Sequence, residues 1–345
     1  MSFTVSMIDR KDSRTMKQIM DLLNEQDLRF DRSIDETYAV FDDNDSIAAT
    51  GSIAGNTLRC IAVSANAKGE GLAGTLISAL LERQYERGNT HVFLYTKPKS
   101  AVYFHGLGFY EIVRTEHTVF MENRRTGFRD YLNRLAVYKK DGTSAAVVMN
   151  ANPFTFGHLH LVRTAAEQYD HVHLFLLSEE AGPIPFKVRK QLVEAGISGL
   201  SNVIIHDSGP YIISQATFPS YFQKDEENVV LSQASVDVSV FAAIASVLGI
   251  TARFVAEEPF SRTTALYNEV LQKRLQDYGI RCIVIPRLKN SHGSISASTV
   301  RSLIKEGSMT ALKEYLPPSV YAYFMSDEAA PVIRSIHDSD DVIHH

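Results

Sequence analysis

The chain has 345 residues, of which 45% are hydrophobic and 22% charged, and a formal net charge of −5. That length exceeds a single ordinary core, since domains of roughly 100–200 residues are the rule, so two domains are expected. The apolar content excludes a disordered chain, and the scattered charges form no basic field of the kind that binds nucleic acid. Cys60 and Cys282 each precede an apolar strand-like run and read as small buried thiols, not as a disulfide or a metal pair. The start, MSFTVSMIDRKD, has no leader pattern, and the longest apolar candidate, Val238–Ile250, is shorter than the about 18 residues of a membrane span. A cytoplasmic protein with neither nucleic acid nor membrane as partner is expected.

In chain order, the pattern predicts a strand around Phe3–Ile8, an amphipathic helix around Arg14–Glu25, and strands near Tyr38–Phe41, Ser46–Ala54 and Thr57–Val63. The next segment, Val63-Ser-Ala-Asn-Ala-Lys-Gly-Glu-Gly-Leu-Ala-Gly, passes from a strand through a glycine-rich turn into a helix. Such a turn offers unpaired amides to a pyrophosphate, and Gly69, Gly71 and Gly74 permit close approach. The spacing Lys68-x-x-Gly71-x-Ala73 resembles the element with which GNAT acetyltransferases hold the pyrophosphate of coenzyme A. Further on, Phe93-Leu-Tyr-Thr to His-Gly-Leu-Gly-Phe109 resembles the later element of that fold, a splaying strand followed by a helix ending in Gly-Phe. Lys68 stands where Arg or Gln is usual and Glu70 adds a negative charge, so the segment reads either as a site for a CoA-like arm or as a scaffold kept for docking. Tyr103 and His105 read equally as acid–base groups or as parts of a packed aromatic helix.

After Tyr138–Thr143 the texture becomes alternating apolar strands and amphipathic helices, which predicts a doubly wound parallel sheet. The boundary is placed there, giving domains 1–138 and 139–345. The expected elements are strands Ala145–Met149, Val172–Leu177, Val203–His206, Arg253–Ala256 and Arg281–Pro286, alternating with helices from Gly157, at Phe186–Leu200, about Val229–Leu248, at Thr264–Tyr278 and from Ser298. The polar tail HDSDDVIHH carries no assigned role.

The turn Met149-Asn-Ala-Asn152-Pro153-Phe154-Thr155-Phe-Gly157-His158 follows the first of these strands and opens a helix, so it lies where open α/β folds bind ligands. Amides at a helix N-terminus stabilise phosphate, and His158 can donate to a phosphate oxygen as charge develops. Thr155-x-Gly157-His158 resembles the HxGH motif of the nucleotidyltransferases, with Thr in place of the first His. Ser294-Ile-Ser296-Ala-Ser298-Thr299-Val-Arg301 resembles the ISSTxxR signature of the same superfamily, Ser298 capping a helix and Ser296, Thr299 and Arg301 available to hold phosphates. Lys187 and Arg189 read either as contacts to phosphate or acyl group or as a solvated basic helix face. Glu257 and Glu258 can supply oxygen ligands to Mg²⁺, fix a ribose, or merely begin the turn at Pro259.

The two halves in this order resemble citrate lyase ligase across nearly the whole chain. The implied fold class is α/β, a GNAT-like α+β domain followed by a Rossmann-like doubly wound nucleotidyltransferase domain. The resemblance implies an enzyme using ATP with Mg²⁺: acetate is activated as acetyl-AMP, and the acetyl group passes to the thiol of a phosphoribosyl-dephospho-CoA group on the acyl carrier subunit of citrate lyase. Thr155, His158 and Arg301 would be catalytic. Asn152, Pro153, Phe154, Gly157, Ser296, Ser298, Thr299, Lys187 and Glu257 would bind ATP, and Lys68, Gly69, Gly71, Ala73 and Gly74 the CoA-like arm. Two rivals are a transferase that moves the nucleotide itself to a phosphorylated small molecule beside a separate GNAT acetyltransferase, and a non-catalytic nucleotide or acyl-CoA sensor.

Overall fold

The computed structural model describes residues 4–31, 33–67, 69–180, 182–212, 218–219, 221, 226–257 and 262–339. Lys68, Glu258 and the tail from residue 340 lie outside the described residues. The chain divides into two compact units, Met1–Tyr131 with Thr217–Ser239, and Leu132–Ala216 with Val240–His345.

The first unit contains β1 (Val5–Ile8), α1 (Ser13–Glu25), β2 (Glu36–Phe41), β3 (Ile47–Ala54), β4 (Thr57–Val63), α2 (Leu72–Glu86), β5 (Phe93–Thr96), α3 (Ala101–Gly106), β6 (Tyr110–Arg114) and β7 (Val119–Glu122), and α4 (Gly127–Ala136) begins in it. Asp12 starts α1 by accepting the amides of Arg14 and Thr15, and Met16, Ile19, Leu22 and Leu23 bury its apolar face. The strands form one seven-stranded sheet in the order β1-β2-β3-β4-β5-β7-β6, antiparallel throughout except for the parallel pair β4–β5. That pair is in register only at Thr57↔Phe93 and Leu58↔Leu94, so the strands part beyond it. On α2, Leu72, Leu76, Ile77 and Leu80 form a buried stripe. Gly51 of β3 lets the helix approach: a Cβ there would lie 2.9 Å from Leu80 Cδ1 and 3.1 Å from Leu76 Cδ2.

The second unit follows with β8 (Ser144–Met149), α5 (Phe156–Gln168), β9 (His171–Leu176), α6 (Phe186–Gly196), β10 (Val203–Asp207), α7 (Glu226–Leu248, shared with the first unit), β11 (Ile250–Ala256), α8 (Arg262–Gln276), β12 (Arg281–Ile285), the short pair β13 (Lys289–Asn290) and β14 (Gly293–Ser294), α9 (Ala297–Lys305), α10 (Pro318–Phe324) and α11 (Ala330–Asp338). The order β10-β9-β8-β11-β12 is parallel throughout and doubly wound, as alternation of strand and helix requires. The chain turns from one side of the sheet to the other at β8 and β11, which places a crevice at their carboxyl ends. Ala145, Val147, Leu174 and Phe254 form the centre of the core.

Two local expectations are corrected. α7 is long and apolar enough over Glu227–Leu248 to cross a membrane by length and composition, although 72% of that window is buried inside the protein. The uninterrupted apolar run in the sequence is shorter because the helix buries Ser232, Gln233, Ser235 and Asp237 as well. Cys60 is buried as expected, but Cys282 is only half-buried; neither is in a disulfide.

Candidate active site

The site is built by two helix N-termini that converge at the carboxyl end of the parallel sheet. From β8 the chain passes through residues 150–154 to Thr155, whose extended backbone (φ −118°, ψ 171°) ends the turn and caps α5. The Thr155 amide donates to His158 Nδ1 at 3.0 Å, the Thr155 hydroxyl lies 2.9 Å from the same nitrogen, and the His158 amide donates back to the hydroxyl at 3.4 Å. This is a capping box in which histidine takes the place usual for glutamate. Because Nδ1 accepts, the ring proton sits on Nε2, so the imidazole can present a donor to a ligand. Burial, reinforced by the Arg287 charge, pushes the ring down to about 4, so it is neutral at pH 7. Gly157 sits between the helices: a Cβ there would lie 3.0 Å from the Ile295 carbonyl oxygen and 3.5 Å from Thr155 Oγ1.

The second helix, α9, is capped by Ser296 and not by Ser298 as the sequence suggested. Ser296 has the extended backbone a cap needs, and its hydroxyl accepts the Thr299 amide at 3.0 Å and lies 2.8 Å from the Thr299 hydroxyl. Arg301, one turn in, donates through Nη1 to the Asn152 carbonyl at 2.7 Å and through Nη2 to Ser298 Oγ at 3.4 Å. The arginine thereby ties α9 to the turn that carries His158.

Both termini open on one cavity of about 950 Å³, large enough for a nucleotide with its phosphates. Its walls bring together Thr155, Gly157, His158, Ser296, Ser298, Thr299 and Arg301. Arg287, His160, His292 and Lys305 also line it, although the sequence reading did not single them out. Arg287 follows the end of β12, a ligand-facing position in this topology, and its Nε donates to the Glu257 carbonyl at 2.9 Å. That placement was the available signal; for the other three only the folded arrangement brings them to the wall.

Other expected residues lie elsewhere. Phe154 and Pro153 are buried, Phe154 so closely that a Cβ on Gly196 would meet its ring at 2.5 Å. Asn152 is also buried and reaches Arg301 through its carbonyl. Lys187 is exposed on α6 and is not among the lining residues of the cavity. Glu257 is exposed at the end of β11, fixed by its amide to the Ile285 carbonyl at 2.8 Å, while its neighbours Ala256 and Ile285 line the cavity. Arg189 is 1% exposed, and its guanidinium donates to the carbonyls of Ile184, Asn150, Leu177 and Glu179. It clamps the loops behind the strands and does not present its charge to a phosphate. Among the described residues no group of three or more His, Cys, Asp or Glu is placed to hold a metal ion. Hydroxyls of Ser296, Ser298 and Thr299 suit a magnesium ion that arrives with the phosphates, as that ion keeps its waters and binds few protein ligands.

In the first unit, Gly69 (φ 95°) and Gly71 (φ 76°) take left-handed conformations, Gly71 as the N-cap of α2, with no atom within 4 Å of a Cβ at either. Gly74 faces Leu107. Ala73 lines a separate cavity of about 250 Å³ with Ile61, Val63, Tyr95, Thr96 and the exposed Tyr103. His105 packs edge-on against Tyr110 and is not among its lining residues.

A profile described as "Citrate lyase ligase C-terminal domain" matches residues 144–324. The chain is similar to "[Citrate [pro-3S]-lyase] ligase" of Escherichia coli (strain K12), 36% identical over 327 residues, 92% of this chain and 93% of that one. It is likewise similar to the protein of that name from Klebsiella pneumoniae, 38% identical over 286 residues, 81% of this chain and 84% of that one. Among solved structures, an acyl-CoA N-acyltransferase from Pseudomonas aeruginosa is 17% identical, with a TM-score of 0.31 over 36% of this chain and 100% of that one.

Proposed function

Because the chain belongs to the citrate lyase ligase family, we propose that it is the ATP-dependent enzyme that activates acetate as acetyl-AMP and acetylates the thiol arm on the acyl carrier subunit of citrate lyase in the cytoplasm. The observation that carries this reading is the pairing of a neutral His158, its Nε2 proton available, with a second helix N-terminus on one nucleotide-sized cavity.

In the first step an acetate oxygen attacks the α-phosphorus of ATP in line with the α–β bridge. The P–O bond to the β-phosphate breaks and its electrons leave with pyrophosphate. The protein positions the reactants and neutralises the charge that develops. Amides at the start of α5 and α9 face the phosphates, and the Ser296, Ser298 and Thr299 hydroxyls donate to them. His158 donates from Nε2 to a phosphate oxygen in the bridging region, and a neutral ring does so without giving up its proton. Arg301 holds the His158 turn and α9 in register while its charge favours the leaving group. Magnesium enters with ATP as part of the substrate.

In the second step the thiol sulfur attacks the acetyl carbonyl carbon. The bond from that carbon to the phosphate oxygen breaks, AMP leaves and the thiol proton passes to solvent. The glycine turn before α2 and the cavity beside it suit the pyrophosphate and pantetheine portions of the arm. Lys187 and Glu257 stand outside the lining residues of the cavity and reach ATP only if the start of α6 and the segment after β11 move.

Product analysis distinguishes the ligase from nucleotidyl transfer. With ATP, acetate and the deacetylated carrier, free AMP and an acetyl thioester should appear in equal amounts. A product carrying a covalent nucleotide, with no thioester, would assign the chain to the transferase class instead.

A further inference from the structure

The wedge between β4 and β5 in the first unit already has an occupant from a distant part of the sequence. The two strands are parallel and pair only at Thr57↔Phe93 and Leu58↔Leu94, so the backbone groups beyond those residues cannot bond across the gap. At the base of the gap β4 bulges: Cys60 and Ile61 together stand opposite Gly51, and Cys60 takes a left-handed φ of 52°. A buried wedge of this kind needs a partner for each exposed donor and acceptor. Tyr221 supplies one of them. Its hydroxyl donates to the Tyr95 carbonyl on β5 at 2.8 Å, and the ring lies in the cavity wall with Ile61, Ala62 and Val63 of β4.

Tyr221 is firmly seated. It is 5% exposed, its carbonyl accepts the Arg29 amide at 2.6 Å, and Phe218 stands edge-on to the Tyr95 ring at 5.4 Å. Burial pushes its hydroxyl above the ordinary tyrosine range, so it remains a donor. The cavity of about 250 Å³ beside it is walled by Ile61–Val63 from one strand and by Tyr95 and Thr96 from the other. A linear chain bearing amides fits such a gap as an added strand fits a sheet edge, taking its recognition from the strand backbones.

We propose that Tyr221 is a built-in competitor for this wedge: its hydroxyl holds the Tyr95 carbonyl that a pantetheine-type thiol arm would otherwise take, so the arm loads fully only when Tyr221 gives up that bond. The inference rests on the reading that the wedge receives the arm, and it adds the residue that sets the threshold for entry. A ligand entering a site occupied in this way loses affinity by the fraction of molecules in which the occupant is displaced.

The test is calorimetric titration of the full-length protein with coenzyme A, a soluble probe carrying the same type of arm. Tyr221→Phe keeps the ring and removes that hydrogen bond, which releases the Tyr95 carbonyl to a ligand. The Kd should then fall by about tenfold relative to the unaltered chain. Tyr221→Leu, which also cannot hydrogen-bond, is measured alongside and should shift in the same direction. Equal Kd values for all three proteins, weaker binding in both variants, or no binding to any, would overturn the proposal. Acetate-dependent pyrophosphate exchange, which needs only the nucleotide cavity of the second unit, separates a failure of this inference from a failure of the ligase reading.

Discussion

At the scale of single residues, the site depends on short contacts that leave little room for substitution. Gly157 is the clearest case, since its missing side chain lets α5 lie against the Ile295 backbone. Replacing it with Ala puts a methyl group 3.0 Å from a carbonyl oxygen, so one helix must shift. Gly157→Ala should destabilise the protein by about 1–3 kcal/mol, read as a lower denaturant midpoint, and should weaken ATP binding. An unchanged midpoint and unchanged ATP affinity would show that the two helices are not held in this contact. The sequence made Thr155, His158, Ser296 and Arg301 visible because each is a polar residue at a helix start in a recognisable spacing. It did not reveal which serine caps α9. Ser294, Ser296 and Ser298 are equivalent as letters, and only the backbone angles at Ser296 decide. Arg189 was misread for a related reason: its charge suggested solvent or phosphate, whereas four carbonyls surround it.

At the scale of elements, β9 and β10 carry a pair that responds to pH. His173 and His206 lie on neighbouring strands with Nδ1 and Nε2 2.9 Å apart, stacked at 5.1 Å between ring centroids, and burial lowers both to about 4. His158 is lowered to about 4 as well. A histidine whose folded value lies below its unfolded value of 6.5 disfavours the folded state on acidification, because the unfolded chain takes up the proton first. Its contribution is present above pH 6.5 and is lost as the pH falls towards 4. Stability should therefore drop across that window, with a slope of roughly 1.4 kcal/mol per pH unit for each extra proton bound by the unfolded chain. Replacing the pair together by Phe and Leu should flatten the decline in denaturant midpoints measured between pH 7 and 5. The same slope in the double variant would place the acid sensitivity elsewhere. Strand and helix periods made most of these elements legible, with ends displaced by a few residues, whereas β6, β7, α4, α10 and α11 were not among those expected. The helix expected to run to Leu200 stops at Gly196, which packs against Phe154. The His–His contact was not legible, because register between strands is a tertiary property.

At the scale of the whole molecule, the parallel sheet that supplies the crevice follows from alternating strands and helices, and the sequence shows that alternation openly. The assignment of Thr217–Ser239 to the first unit has no such signature. Tyr221 is one aromatic residue among fifteen tyrosines, and nothing in its neighbourhood of the sequence marks it as the group that bonds Tyr95. The same distinction limits the cavity: the helix-start motifs announced about half of its wall, while His160, His292 and Lys305 reached it only through folding. The central assignment, acyl-adenylate formation in the second unit, is tested most directly by acetate-dependent exchange of labelled pyrophosphate into ATP, comparing the unaltered chain with His158→Ala. Exchange that requires acetate and falls by about 10²–10³-fold in the variant is the predicted result. Absence of exchange despite ATP binding, or a variant that exchanges as fast as the unaltered chain, would contradict the assignment of that chemistry to this cavity and to His158.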